Sequence, residues 1–523
     1  MEHKIGFWYK VVNRIAIRLK GSIETKELPT NKDSNFEDCF EQIAENLWKP
    51  DNTSWRLFER ITINSLTKDS NTKTIRGLRN YDIGIDRYVC KIPIESFNYE
   101  NLLNELEKIP ESGGDIYLPS GRILIDRELK LRSGISLIGN GDKTELVFKD
   151  VAFGINICGT QDSVINGVSL ENLKIFHLGI HRFCGAVFVS HSKNIKFTNI
   201  EIINPIAVGF LFADNVEYTT ITRCSVIKAG LVGYMLIRDI NYTTLDSCSA
   251  KECEQSGVFL TDLKLPQGVN PLDFNAQIHY TSQVVGNFGP FEPDDPSPCH
   301  TTITNCIFEG NRKMGITTDG VGYLSVINTT ISNNDCEGIT IDNGSWCCLI
   351  KNCNIYGNGW RGLQHNEELT VDYVDEMGLM EDGSSKAKLP GISFDNAAYC
   401  RVDNNSIHGN WGDGIKFVRA GYACSISGNI IADNNRGQNN KFHFFGVLIS
   451  SALRQHEAQA DFPSCYNRIQ NNYILGKHYS GVHLLPGTVG NIVKENMITD
   501  YLFIDIENHA GNKNLLQKPN VNI

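Results

Sequence analysis

Three short segments carry an aspartate four residues after a glycine: Gly315-Ile-Thr-Thr-Asp319, Gly338-Ile-Thr-Ile-Asp342 and Gly391-Ile-Ser-Phe-Asp395. A fourth, Gly414-Ile-Lys-Phe-Val418, places Lys416 two residues after its glycine, and Arg419 follows. Side chains alternate along a strand, so the second and fourth positions share a face. Thr317, Thr340 and Ser393 therefore accompany the aspartates. Stacked side by side, these carboxylates repel. Relief comes from a bound cation, from a proton retained by one carboxyl, or from Lys416 and Arg419. A protonated carboxyl beside an ionised one is an acid–base pair. Separations of about 5 Å between adjacent segments and about 9–10 Å between alternate ones match the two geometries used to break glycosidic bonds. Asp319-Gly320, Asp342-Asn343 and Asp395-Asn396 are also strand-ending turns, but three in register exceed what turns require.

A second row lies just before the glycine and holds Glu337 and Asp413, with Lys313 and Arg361 nearby. Asp413, between two glycines, also reads as a turn residue. His300 and His365 are expected at loop edges of the same face, and His483 outward, two repeats past Lys416. Trp360, Trp411 and Tyr323 are aromatics near this face that would stack on sugar rings or serve as packing. No phosphate loop, dinucleotide fingerprint, nucleophile elbow or zinc-protease helix motif is present.

What positions these residues is a repeat. Glycine followed by alternating apolar residues recurs every 24 residues from Gly185 through Gly209 and Gly233 to Gly257. It recurs every 23 from Gly315 to Gly338 and from Gly391 to Gly414, and again at Gly446 and Gly481. Period-2 alternation predicts a strand with one buried face, and a unit of this length without helix predicts one coil of a parallel β-helix. A second column confirms the register: Cys224, Cys248, Cys306, Thr329, Cys353, Asn405, Asn429, Asn472 and Asn496, each three residues after an apolar one. Stacking predicts buried small thiols and hydrogen-bonded amide ladders there. Those cysteines are accounted for as core, and the absence of tight CxxC pairs argues against a zinc site.

The chain has 523 residues with 49 basic and 60 acidic side chains, a net charge of −11. That balance disfavours a nucleic-acid binder, and no apolar window is long enough for a membrane-spanning helix. Lys4, Lys10, Arg14, Arg18 and Lys20 interrupt the apolar core that a secretory signal needs. Sixteen cysteines then point to the cytoplasm or another reducing compartment.

Ahead of the repeat, Ser96 reads as a helix N-cap, and Leu102, Leu103, Leu106 and Ile109 form one apolar helical face. Gly113-Gly-Asp-Ile-Tyr-Leu-Pro-Ser-Gly121 and Gly134-Ile-Ser-Leu-Ile-Gly139-Asn-Gly141 follow. Together these resemble the entry to pectate-lyase-like proteins. The resemblance implies an all-β fold: a right-handed, single-stranded parallel β-helix over 96–523 with an N-terminal capping helix. Residues 1–95 are expected to form a small appended domain. Thr317-Thr-Asp-Gly320 and Gly414-Ile-Lys416 also resemble polygalacturonase motifs. The paired Asp-Asp and the Gly-His-Gly of that family are missing, so no catalytic role carries over.

Departures from the period predict insertions near 262–298, 362–390, 432–442 and 451–463, all flanking the glycine strand as groove walls. The early coils instead present Leu211, Ala213, Met235, Ile237 and Phe259 outward. This apolar stripe calls for a covering segment or a homotrimer.

The leading expectation is a glycoside hydrolase cleaving an extended polysaccharide or oligosaccharide without a cofactor. Asp319, Asp342, Asp395 and Lys416 are its catalytic candidates. Arg419, Thr317, Thr340, His365, Trp360 and Glu337 are the substrate-binding candidates. One alternative is a polysaccharide lyase or uronate C5-epimerase, with Ca²⁺ on the three aspartates and Lys416 as base. Another is a phage tailspike or a non-catalytic glycan-binding solenoid.

Overall fold

The computed structural model describes residues 88–179, 184–262, 298–342, 344–360, 388–437, 443–450, 464–510 and 513–517. No helix among them is long and apolar enough to cross a membrane. Pairing begins at β1 (Tyr88–Lys91), which runs parallel to β2 (Gly114–Tyr117). Between them lies α1 (Tyr99–Lys108), which buries Tyr99, Leu102 and Leu106, with Ile109 just beyond it also buried. Its N-cap is Asn98 rather than Ser96: the extended Asn98 backbone lets its side chain accept the Asn101 N–H at 3.0 Å. Ser96 ends the preceding 3-10 turn, and its carbonyl accepts from the Asn101 side chain.

Beyond this entry each coil contributes short strands to three parallel sheets. One is the glycine column: β3 (Val258–Thr261), β4 (Ile316–Asp319), β5 (Ile339–Asp342), β6 (Ile392–Asp395), β7 (Ile415–Arg419), β8 (Val447–Ile449), β9 (Ser480–Leu484) and β10 (Ile504–Asn508). Successive members pair in parallel. Their inward residues, including Ile316, Ile339, Phe394, Ile415 and Phe417, are wholly buried, each contributing about 1.5–3 kcal/mol. The glycines are dictated by close approach between coils. A Cβ on Gly338 would fall 2.6 Å from the Gly391 carbonyl oxygen, and one on Gly414 equally close to that of Gly446.

The expected thiol and amide column is present. Cys224, Cys248, Cys306 and Cys353 are buried. The Cys353 N–H donates to Asn405 Oδ1, and the Asn405, Asn429 and Asn472 side chains each donate to the next amide oxygen at 2.9 Å. Two further ladders stand beside it. Asn311, Asn334, Asn358, Asn410 and Asn434 form one. The other runs from Cys348, Cys400 and Cys424 into Asn467, Asn491 and Asn514. The outward stripe of the early coils, including Leu211, Met235 and Ile237, forms a second apolar cluster that is itself buried.

Candidate active site

The outward face of the glycine column carries three rows. The second-position row reads Phe259, Thr317, Thr340, Ser393, Lys416, Leu448, His483 and Glu507 in strict register. The fourth-position row reads Thr261, Asp319, Asp342 and Asp395. The Cα opposite Asp395 is that of Arg419, not Val418, because the pairing shifts by one residue there. A bulge in β7 inserts Val418 and turns it into a buried position. The aspartate row therefore ends on a basic residue.

Each of these aspartates is the last residue of its strand, at the start of a turn. The left-handed backbone falls on the residue after, at Gly320 and Asn396. Asp319 accepts from the Thr261 hydroxyl at 3.3 Å. The Asp262 carboxyl leans over Gly320, where a Cβ would meet it at 2.5 Å. Asp262 is thus a further acidic neighbour of the row. It stands five residues after Gly257, at the coil position that Gly320 and Asn396 hold in later coils.

The row before the glycine holds Ser256, Met314, Glu337, Pro390, Asp413, Phe445 and Ser480. Its members touch the second-position residue of the following coil. Ser256 Oγ lies 3.1 Å from Thr317 Oγ1, Phe445 meets His483 edge-on at 4.3 Å, and Ser480 donates to Glu507 at 3.0 Å. Glu337 and Asp413 are more than nine-tenths buried. Burial pushes the Glu337 carboxyl up, opposed by its own backbone N–H and by the charge of Lys416. Its Oε2 is buried with no hydrogen-bond partner. Burial also pushes Asp413 up to about 6, against Lys416 and the Phe445 N–H, which Asp413 Oδ1 accepts at 2.7 Å. Two desolvated carboxyls two coils apart thus face one lysine. The sequence placed all three correctly by row. What it lacked was the bend that brings the row before the glycine against the next coil.

The other candidates divide. Trp360 is half exposed and donates its indole N–H to Asp335 at 2.5 Å. Trp411 lies beneath the Lys388 ammonium, 5.1 Å from its ring centre. His300 and Tyr323 do not face the groove. They occupy the turn after the glycine strand, where Tyr218, Tyr242, His300 and Tyr323 stack face to face at 4.8–5.0 Å. Their rings are consumed by one another. His365 and Arg361 lie outside the described residues, and of Arg419 only the backbone register is described.

No protein-family model matches the chain, and no curated protein resembles it in sequence. Solved structures do. The catalytic domain of a GH87 α-1,3-glucanase in complex with tetrasaccharides matches with a TM-score of 0.54 at 13% identity, covering 83% of this chain and 68% of that one. The same domain with nigerose gives 0.52 at 14% over the same shares. The chain is a right-handed parallel β-helix. The β-helix also matches the A-module of the Azotobacter vinelandii mannuronan C-5 epimerase AlgE4, at 0.49 and 14% identity over 78% of this chain and 92% of that one. At these identities the likeness is one of fold.

Proposed function

We propose that this β-helix is a glycoside hydrolase that binds an extended, uncharged glycan across the hydroxyl row, with Glu337 as general acid and Asp413 as general base. The observation that carries this is the pair of desolvated carboxyls two coils apart facing Lys416. Asp413 accepts a backbone N–H, which favours its carboxylate. Glu337 has an unpartnered buried oxygen, which favours the protonated acid. Two strand spacings set their coils about 9–10 Å apart, a scale that admits a water between the two carboxyls, as inversion requires. Asp413 takes a proton from that water, whose oxygen bonds to the anomeric carbon. The bond to the leaving oxygen breaks on the opposite face, and Glu337 gives that oxygen its proton. Exchange with solvent restores both carboxyls.

Thr317 and Asp342, the partly exposed members of the two rows, supply acceptors for sugar hydroxyls, and Trp360 supplies an exposed ring for stacking. The acidic excess on this face repels uronates, which favours a neutral substrate. The GH87 glucanase, of the same fold, was solved with bound tetrasaccharides.

The test is cleavage of a panel of neutral and uronate polysaccharides, read as reducing ends and as ultraviolet-absorbing unsaturated product. Glu337→Gln and Asp413→Asn are expected to lower kcat by about 100- to 10,000-fold. Asp342→Asn should weaken the substrate by about tenfold, mainly in KM. Chelator should leave the rate unchanged. Full activity in Glu337→Gln would overturn the assignment. Unsaturated product lost on chelation would instead identify a Ca²⁺-dependent lyase with Lys416 as base. Binding without cleavage by every variant would identify a glycan-binding solenoid.

A further inference from the structure

At the far end of the second-position row, two coils past Lys416, stands a group that the hydrolytic chemistry does not use. His483 on β9 and Glu507 on β10 are register partners. His509 follows two residues after Glu507, on the same side of the chain, and its N–H donates to the Leu484 carbonyl at 2.9 Å. One ligand atom from each of the three side chains lies within 4.8 Å of the other two.

His483 is more than nine-tenths buried, and neither ring nitrogen has a hydrogen-bond partner. Its Nδ1 sits 3.3 Å from Glu507 Oε2, yet without forming a hydrogen bond. A buried imidazole with both nitrogens unsatisfied is costly. Two imidazoles and a carboxylate whose ligand atoms lie within 4.8 Å of one another are a set that a metal ion would bind. The surroundings match a metal centre: Ser480 Oγ donates to Glu507 Oε2 at 3.0 Å, fixing the carboxylate from behind. The Phe445 ring edge supplies an apolar wall 4.3 Å from the imidazole.

We infer that His483, Glu507 and His509 form a site for a divalent first-row transition ion of the Zn²⁺ class. Two imidazoles select against Ca²⁺ and Mg²⁺, which prefer oxygen ligands. Three protein ligands leave a coordination position free for water or a sugar hydroxyl. His509 Nε2 lies 2.7 Å from Glu507 Oε1, and that hydrogen bond gives way when both atoms turn to the ion. Because the ligands lie on two successive coils, the ion ties the β10 coil to β9. Its loss is read in melting temperature rather than in kcat.

The test uses the full-length protein, reduced and freed of metal by chelation, and titrated with Co²⁺ and then Zn²⁺. One equivalent of Co²⁺ is expected, with the visible absorption of a low-symmetry nitrogen–oxygen site and no thiolate charge-transfer band. Zn²⁺ should displace it and raise the melting temperature. Glu507→Gln and His509→Ala should abolish both effects. His509 is half exposed, so its replacement leaves the fold intact. Binding that survives His509→Ala, a thiolate band from the cysteines, or no stoichiometric binding would overturn the inference.

Discussion

Burial of the Asp413 carboxyl makes its replacement visible in stability as well as in activity. That carboxyl is held at about 6 in the folded chain against an ordinary value of 3.8. Between those two values the unfolded chain releases a proton that the folded chain keeps, so stability falls as pH rises and the loss is complete above about 6. The shift corresponds to about 3 kcal/mol. Asp413→Asn can still accept the Phe445 N–H. It should match the wild type near pH 4 and exceed it by up to about 3 kcal/mol at pH 7 in denaturant unfolding, while losing activity. The stability gain reports burial of the carboxyl, and the loss of activity reports its catalytic role. The aspartate row and Lys416 were legible because strand alternation assigns a face to every residue counted from a glycine. The partnership of Glu337 with Lys416 was not, since it crosses coils through a bend that no periodicity encodes. Nor was the group at His483, whose other two ligands follow the last glycine of the repeat.

Within the coils, order is maintained by ladders whose rungs are single buried amides. Asn410 accepts from the Asn358 N–H and side chain at 3.0 and 2.9 Å, and donates to the Ile355 carbonyl at 3.1 Å. Asn410→Ala strands several of these buried groups and should cost about 3 kcal/mol in unfolding free energy. The same ladder ends on His478, whose Nε2 accepts the Asn434 N–H at 3.1 Å. Burial depresses the His478 imidazole to about 4. Stability present above the ordinary histidine value is therefore lost as pH falls toward 4, by about 3 kcal/mol when complete. His478→Asn continues the amide ladder and should remove that share of the acid sensitivity. One ladder was visible in the sequence, because Cys, Thr and Asn recur three residues after an apolar one. The other two were hidden by their position in turns, where asparagine also serves left-handed backbone, as at Asn305, Asn328 and Asn404.

At the scale of the molecule, a solenoid repeats its backbone and varies its outward rows, so one rigid column presents different chemistry along its length. The early coils present the buried apolar cluster around Leu211 and Met235. The middle coils present hydroxyls and carboxyls, and the last coils present His483 and Glu507. The fold was readable because the repeat constrains every coil. The insertions that would wall the groove at 262–298 and 362–390 lie largely outside the described residues, and substrate selectivity resides in such loops. Glu337 and Asp413, two coils apart, are proposed to cleave a neutral glycan. This is tested most directly by time-resolved NMR of the anomeric proton as product forms from a substrate found in the panel. The first product is expected to carry the inverted anomer, and Glu337→Gln to form none. A retained anomer would move the chemistry to carboxyls on adjacent coils, such as Asp319 and Asp342, and would contradict this assignment.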